Sequence, residues 1–341
     1  MNLQVEKLPK SVLTIKASLD AAEFAPFIEK ATQHVIGETE LPGFRKGKAP
    51  ADLVIAKIGE GHLLEEAANM ALRDTYAKAL QQENVEAIGR PEIRVTKLAR
   101  GNPFEWEATI SVVPPIDLAD YRTIAATKVS EKEDVPTVTD EEVEKSVEWL
   151  RKSRRPEGAD ENTPLPEFTD EFAQSVGNFK TAGELRETIK TNMTLEKEAK
   201  AKDARRMKVL ESIVGATTMD IPDILVEAEK QKMLRELQSS VSQMGMKWED
   251  YLAHVKKTLE DLYKEWGPDA AKRVRFALVL REIAKRESLG PKEEELSAWA
   301  DQYLMREDAE TRKQIDREAL KDYAYGILRN ENVFRFLENQ S

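Results

Sequence analysis

The adjacent prolines Pro114-Pro115 divide this chain, and that boundary constrains the fold more than any other feature of the sequence. Ahead of it, Leu13, Ile15, Ala17 and Leu19 alternate with Val12, Thr14, Lys16 and Ser18, the period of two of a half-buried strand. Asp20 then offers an N-cap. Phe24, Phe27, Ile28, Ala31 and Val35, three and four apart, predict an amphipathic helix over 21–36 that stops at Gly37. Leu64, Ala68, Leu72, Tyr76 and Leu80 repeat every four residues and predict a second helix over 60–82, its stripe widened by Ala71 and Ala79. Strands over 92–98 and 103–113 pair across the Arg100-Gly101-Asn102 turn, with Phe104, Trp106, Ala108, Ile110 and Val112 alternating with polar partners. Residues 1–115 read as a self-contained α+β domain.

Two adjacent prolines admit neither a continuous strand nor a continuous helix. Residues 116–138, with short β-like runs and Pro136, predict an extended linker. Thr139-Asp-Glu-Glu142 is a capping box opening a helix on Val143, Val147 and Leu150 that ends near Arg155, and 156–164 is a polar Pro/Gly-containing loop. Beyond Leu165 the pattern is helical throughout. Thr181 with Glu184 caps a helix running past Ile213, whose stretch 196–206 is so charged that it should stand in solvent. Asp220-Ile-Pro222 starts another, striped by Leu225, Ala228, Leu234, Leu237, Val241 and Met244. Helices over 248–255, 259–266, 268–287 and 291–305, and a last pair between 308 and 338, complete an all-helical region with no fixed-period repeat. The expected class is α+β: a small head (1–115), a linker with one helix (116–164) and a large all-helical domain (165–341).

Composition removes several function classes. The net charge of −11 argues against a general nucleic-acid binder, and the absence of cysteine excludes thiol catalysis, disulfides and thiolate metal sites. The first twenty residues lack the apolar run of a signal peptide, and no stretch approaches the ~18 apolar residues of a membrane span, so a soluble, cytoplasmic protein with no membrane partner is expected. His34, His62 and His254 lie far apart; His62 with Glu66 is the one metal-like pair and reads as ordinary surface. No H-E-x-x-H or G-x-S-x-G occurs, so no catalytic residue, metal or cofactor is expected.

The segment that stands out is Leu41-Pro-Gly-Phe-Arg-Lys-Gly-Lys-Ala-Pro50. Gly43 and Gly47 free the backbone, while Phe44, Arg45, Lys46 and Lys48 place one aromatic and three cations on a loop too short to bury them. Such a tip can pair cations with phosphates while the ring stacks or enters an apolar pocket. It is not a nucleotide P-loop: three residues rather than four separate the glycines, Ala49 stands where Ser or Thr is required, and a helix rather than a strand precedes it. Residues 1–115 are nearly neutral at net −2 and the remainder carries −9, so an acidic body should repel RNA and leave the loop to choose the contact.

This decapeptide resembles the ribosome-docking signature of trigger factor, the bacterial nascent-chain chaperone, and the order of head, linker, capped helix and helical body matches along nearly the whole chain. The resemblance implies that the loop contacts rRNA and ribosomal protein beside the exit tunnel. It also implies helical arms that enclose a cradle for nascent and unfolded polypeptides, ATP-independent holding that prevents aggregation, and a homodimer off the ribosome. Seven of the nine methionines lie after Pro115, in keeping with an adaptable apolar surface. One departure is large: trigger factors usually carry a prolyl isomerase domain between the linker helix and the arms, and residues 156–164 are too few to hold it. No isomerase activity is expected. The rival readings are a periplasmic-type helical export chaperone and an enzyme whose site is scattered in sequence.

Overall fold

The computed structural model describes residues 1–131, 137–155 and 163–340. The head begins with the hairpin β1 (Asn2–Leu8) and β2 (Val12–Leu19), followed by α1 (Ala21–Glu38), α2 (Ala51–Ile58) and α3 (Glu60–Gln82), then β3 (Ala87–Lys97) and β4 (Phe104–Val112). The strands form one antiparallel sheet in the order β1-β2-β4-β3. Alternation decides which face is covered: Leu13, Ile15, Ala17 and Leu19 of β2 and Phe104, Trp106, Ala108 and Ile110 of β4 are all buried. They pack with Phe24, Ala31 and Val35 of α1 and Leu63, Leu64, Ala67, Ala68, Ala71 and Ala79 of α3. Phe24 stacks on Phe104 at 4.8 Å between ring centroids. The Trp106 indole N–H donates to Thr75 Oγ1 at 3.1 Å, and that hydroxyl donates to the Ala71 carbonyl at 2.7 Å, so the buried polar pair is satisfied.

Several expectations are corrected here. Helix α1 runs through Gly37 to Glu38, where Thr39 caps it by donating its N–H to Val35 O. Strand β3 starts at Ala87, five residues before the expected start, and passes Gly89 through a register irregularity between Ile88 and Glu92. The edge strand β1 and the short helix α2 were not expected at all.

Beyond Pro114-Pro115 every described element is helical: α4 (Tyr121–Ser130), α5 (Asp140–Ser153), α6 (Asp170–Val176), α7 (Ala182–Ala216), α8 (Asp223–Gln243), α9 (Trp248–Val255), α10 (Leu259–Glu265), α11 (Gly267–Arg286), α12 (Glu293–Arg306), α13 (Ala309–Gln314) and α14 (Arg317–Glu338). The expected extended linker thus contains a helix, α4. Asp120 caps it, accepting from the Thr123 N–H at 3.2 Å, and Tyr121 and Ala125, one turn apart, are buried. Pro136 and most of the expected loop 156–164 lie outside the described residues. Among the described residues no helix is long and apolar enough to cross a membrane.

By compactness the chain forms two units, residues 1–117 with 218–278, and residues 118–217 with 279–341. In the first, Lys10 and Ser11 at the β1–β2 turn both take left-handed backbone angles that non-glycine residues seldom adopt. Contacts to the segment that opens α8 support them: the Lys10 N–H donates to the Asp220 carboxylate, Lys10 Nζ to Asp223 at 2.7 Å, and Ser11 Oγ to the Asp220 carbonyl at 2.6 Å. In the second unit, α4 packs on α7 and α14. Arg122 and Tyr121 converge on Glu287 at 2.6 and 2.5 Å, and Arg151 of α5 donates to the Pro166 carbonyl at 2.6 Å. The charged stretch 196–206 is not wholly solvated, because one face of α7 turns inward. Lys197 pairs with Glu142 at 2.7 Å, and Arg206 reaches both Glu331 at 2.8 Å and Glu338 at 2.6 Å beneath the ring of Phe334.

Candidate functional site

The loop between α1 and α2 is built from two tight turns in series. In Leu41-Pro42-Gly43-Phe44 the Phe44 N–H donates to the Leu41 carbonyl at 3.1 Å, and in Arg45-Lys46-Gly47-Lys48 the Lys48 N–H donates to the Arg45 carbonyl at 2.9 Å. Each places glycine third, Gly43 at φ +87° and Gly47 at φ +77°, which is the requirement of a type II turn, and Pro42 presets the second position of the first. Between the two glycines stand Phe44, Arg45 and Lys46, so the consecutive turns set those side chains on the tip.

Both stems of the loop are anchored. On the incoming side Gly47 backs onto Gly37 of α1, where a Cβ would sit 3.9 Å from the Gly37 Cα. On the outgoing side Ala49 is buried, Pro50 opens α2, and Val54 is fully buried. The tip is not tucked in: Phe44 is 43% exposed, a large fraction for a ring beside a formed apolar core. Arg45, Lys46 and Lys48 are exposed, and among the described residues none of the three makes an ion pair with a carboxylate. All six expected residues, Gly43, Phe44, Arg45, Lys46, Gly47 and Lys48, therefore belong to one projecting feature. Its desolvation costs are low and its cations are available for an anionic partner.

Sequence reasoning missed Leu53, an exposed apolar side chain on α2 just past the loop. The eight-residue helix that carries it reads in sequence as a short apolar run, which no periodicity can classify. The histidine reading needs one adjustment: Glu66 approaches His34, with Oε1 3.6 Å from Nδ1, and His34 is also 3.8 Å from Glu38.

In the helical regions the largest exposed apolar side chains are scattered over several elements. Met244, 66% exposed, caps α8 before Gly245; Met305, 75% exposed, lies near the end of α12; Trp149 and Tyr323 project from α5 and α14. Trp299 stacks on Tyr303 at 5.6 Å and meets Tyr323 at 6.1 Å. No single residue or short segment dominates.

Two family models account for most of the chain. Residues 1–150 match the bacterial trigger factor protein and residues 181–338 match the bacterial trigger factor protein C-terminus. This chain belongs to the trigger factor family. A trigger factor of Clostridium botulinum is 25% identical, with 100% of this chain and 99% of the relative covered, and one of Carboxydothermus hydrogenoformans is 26% identical, with 99% of each covered. A third, of Agathobacter rectalis, is 26% identical over 85% of this chain and 84% of its own length. The alignment to the Carboxydothermus protein spans 428 positions against 341 residues here, so that relative carries at least 87 residues with no counterpart in this chain. A solved structure from work on promiscuous substrate recognition by the trigger factor chaperone superposes over 100% of both chains, with a TM-score of 0.59 and 17% identity, and shares the fold. Membership of the trigger factor family makes this protein a ribosome-associated chaperone, and does not favour the rival readings of an export chaperone or an enzyme.

Proposed function

We propose that residues 43–48 attach this chaperone to the ribosome beside the exit tunnel, Arg45, Lys46 and Lys48 facing rRNA phosphates and Phe44 entering an apolar site on ribosomal protein. The observation that carries this reading is the loop itself: two glycine turns present an exposed ring and three cations that form no ion pair among the described residues, on an otherwise acidic chain. Attachment of this kind is weak and salt-sensitive, as suits a factor that must cycle.

In the same proposal residues 1–115 are the attachment domain, 116–164 the connection, and 165–341 the surface that holds nascent and unfolded polypeptide. The scattered methionines and aromatics of the helices supply many weak apolar contacts, and a client leaves as it buries its own apolar surface. No nucleotide is required. The thirty residues between the two family matches are too few for an isomerase domain, so holding proceeds without prolyl isomerisation. The protein works in the cytoplasm and forms a homodimer when off the ribosome.

Replacing Phe44, Arg45 and Lys46 together with Ala should abolish co-sedimentation with ribosomes while leaving suppression of client aggregation intact. Ribosome binding that persists at the wild-type level in that variant removes the docking assignment, and loss of aggregation suppression shows that the two activities share a surface.

A further inference from the structure

Four cations lie between residues 45 and 57, and they are used in two ways. Arg45, Lys46 and Lys48 have no carboxylate partner among the described residues, whereas Lys57, in the last turn of α2, donates through Nζ to the backbone carbonyl of Glu40 at 2.5 Å. Glu40 follows the Thr39 cap of α1, at the point where the chain leaves the helix for the loop. The bond therefore joins the two stems of the docking loop across seventeen residues of chain.

We propose that Lys57 is a positioning residue for ribosome docking: it closes the base of the loop, holds the two turns in register and contacts no phosphate itself. The proposal rests on the reading of residues 43–48 as the docking tip. Its physical content is preorganisation. The twelve-residue loop between α1 and α2 would otherwise sample many backbone states and lose that freedom on binding, which weakens association without altering any contact in the bound state. The base is held by the Lys57 bond and by the buried Ala49 and Val54, the middle by Gly47 against Gly37, and the tip by the two turn hydrogen bonds. Of these restraints only the Lys57 bond comes from a charged side chain, and Lys57 is itself exposed. A positioning lysine and a phosphate-contacting lysine would both weaken binding when removed, but they differ in salt dependence. Each phosphate contact contributes roughly −0.7 to −0.9 to the slope of log affinity against log salt. A residue acting only through loop order contributes nothing to it.

The test uses the full chain and purified 70S ribosomes. Lys57→Met keeps the alkyl stem and removes the donor, and Lys57→Arg restores a cationic donor. Binding is measured across a range of salt concentrations, with amide exchange at Phe44 and Lys48 followed in the free protein. The expected result for Lys57→Met is a roughly three- to tenfold loss of affinity, the worth of one net hydrogen bond. It should come with an unchanged salt slope, faster exchange at both turn amides and wild-type aggregation suppression, and Lys57→Arg should recover the affinity. The proposal is overturned if the slope becomes shallower by about 0.7–0.9, which makes Lys57 a phosphate contact. Unchanged affinity in Lys57→Met, or no recovery with Arg, also overturns it. Failure of the underlying reading shows separately, as wild-type binding by the Phe44/Arg45/Lys46 alanine variant.

Discussion

The loop proposed to dock on the ribosome and the helical surface expose apolar groups in opposite ways. In the loop one ring and three cations are fixed by two turns, each needing a glycine at positive φ, so position is set by backbone geometry. On the helices the exposed groups are far apart in sequence, with Met305, Trp149 and Tyr323 carried by regular α-helix and Met244 at the C-cap of α8, so they form no single backbone-set feature. A surface that must meet one defined partner gains from preorganisation, and a surface that must meet many gains from redundancy and from the adaptable thioether. Damage to the loop should therefore act all at once, and damage to the helical surface by small increments.

The sharpest break in that comparison comes from reversing charge at the tip. Arg45→Glu with Lys46→Glu should lower ribosome affinity by roughly a hundredfold or more, since two attractive phosphate contacts become repulsive, while client holding stays unchanged. Pelleting with ribosomes and a light-scattering aggregation assay read the two outcomes side by side. Next in size is Gly43→Ala. Among the described residues no neighbouring atom lies within 4 Å of the added Cβ, so the penalty is that of the left-handed backbone angle, about 1–2 kcal/mol, or roughly tenfold in affinity. D-alanine installed at Gly43 by semisynthesis should restore binding. A loss that persists with the D-residue would place the fault outside the turn.

On the helical side, Met244→Ser, Met305→Ser and Tyr323→Ser should each change client affinity by less than about twofold, consistent with surface substitutions worth ~0.5 kcal/mol. The triple variant should lose roughly the product of the three. A single one of them that removes holding would show a localised site and end the contrast. The smallest expected effect is a dependence on acid. Glu331 is held below the usual carboxylate range by its hydrogen bond to Arg206, Glu287 by its bond to Arg122, and Glu142 by its bond to Lys197. A depressed folded-state pKa gives stability that is present above the ordinary glutamate value of 4.5 and is lost as pH falls through the lowered value. Urea midpoints should accordingly be flat from pH 8 to about 5.5 and decline below about 4.5, and Arg206→Ala should flatten part of that decline.

How much of this was legible in sequence depended on the kind of signal. Long periodic elements were readable because burial enforces the period: Phe24, Ala31 and Val35 mark α1, and Phe104 to Ile110 mark β4. The two turns of the proposed docking loop were readable because a positive φ leaves glycine in the sequence, twice in five positions. Strand β1 was missed because it is an edge strand whose residues are exposed or half-buried, leaving only Leu3 and Val5 to suggest alternation. Helix α4 was missed because Thr123, Ile124, Thr127 and Val129 favour extended structure locally. The Asp120 cap and the packing of Tyr121 and Ala125 against α7 and α14 override that preference. The pairing of Arg206 with Glu331 and Glu338 joins residues more than a hundred positions apart, and nothing local announces it.

The measurement that bears most directly on the account is ribosome binding across a range of salt concentrations, for the wild-type chain and for the variant with Ala at Arg45, Lys46 and Lys48. Three phosphate contacts predict a slope of about −2 to −3 in log affinity against log salt for the wild type, collapsing toward zero in the variant together with most of the affinity. Equal slopes and equal affinities for the two proteins would contradict it.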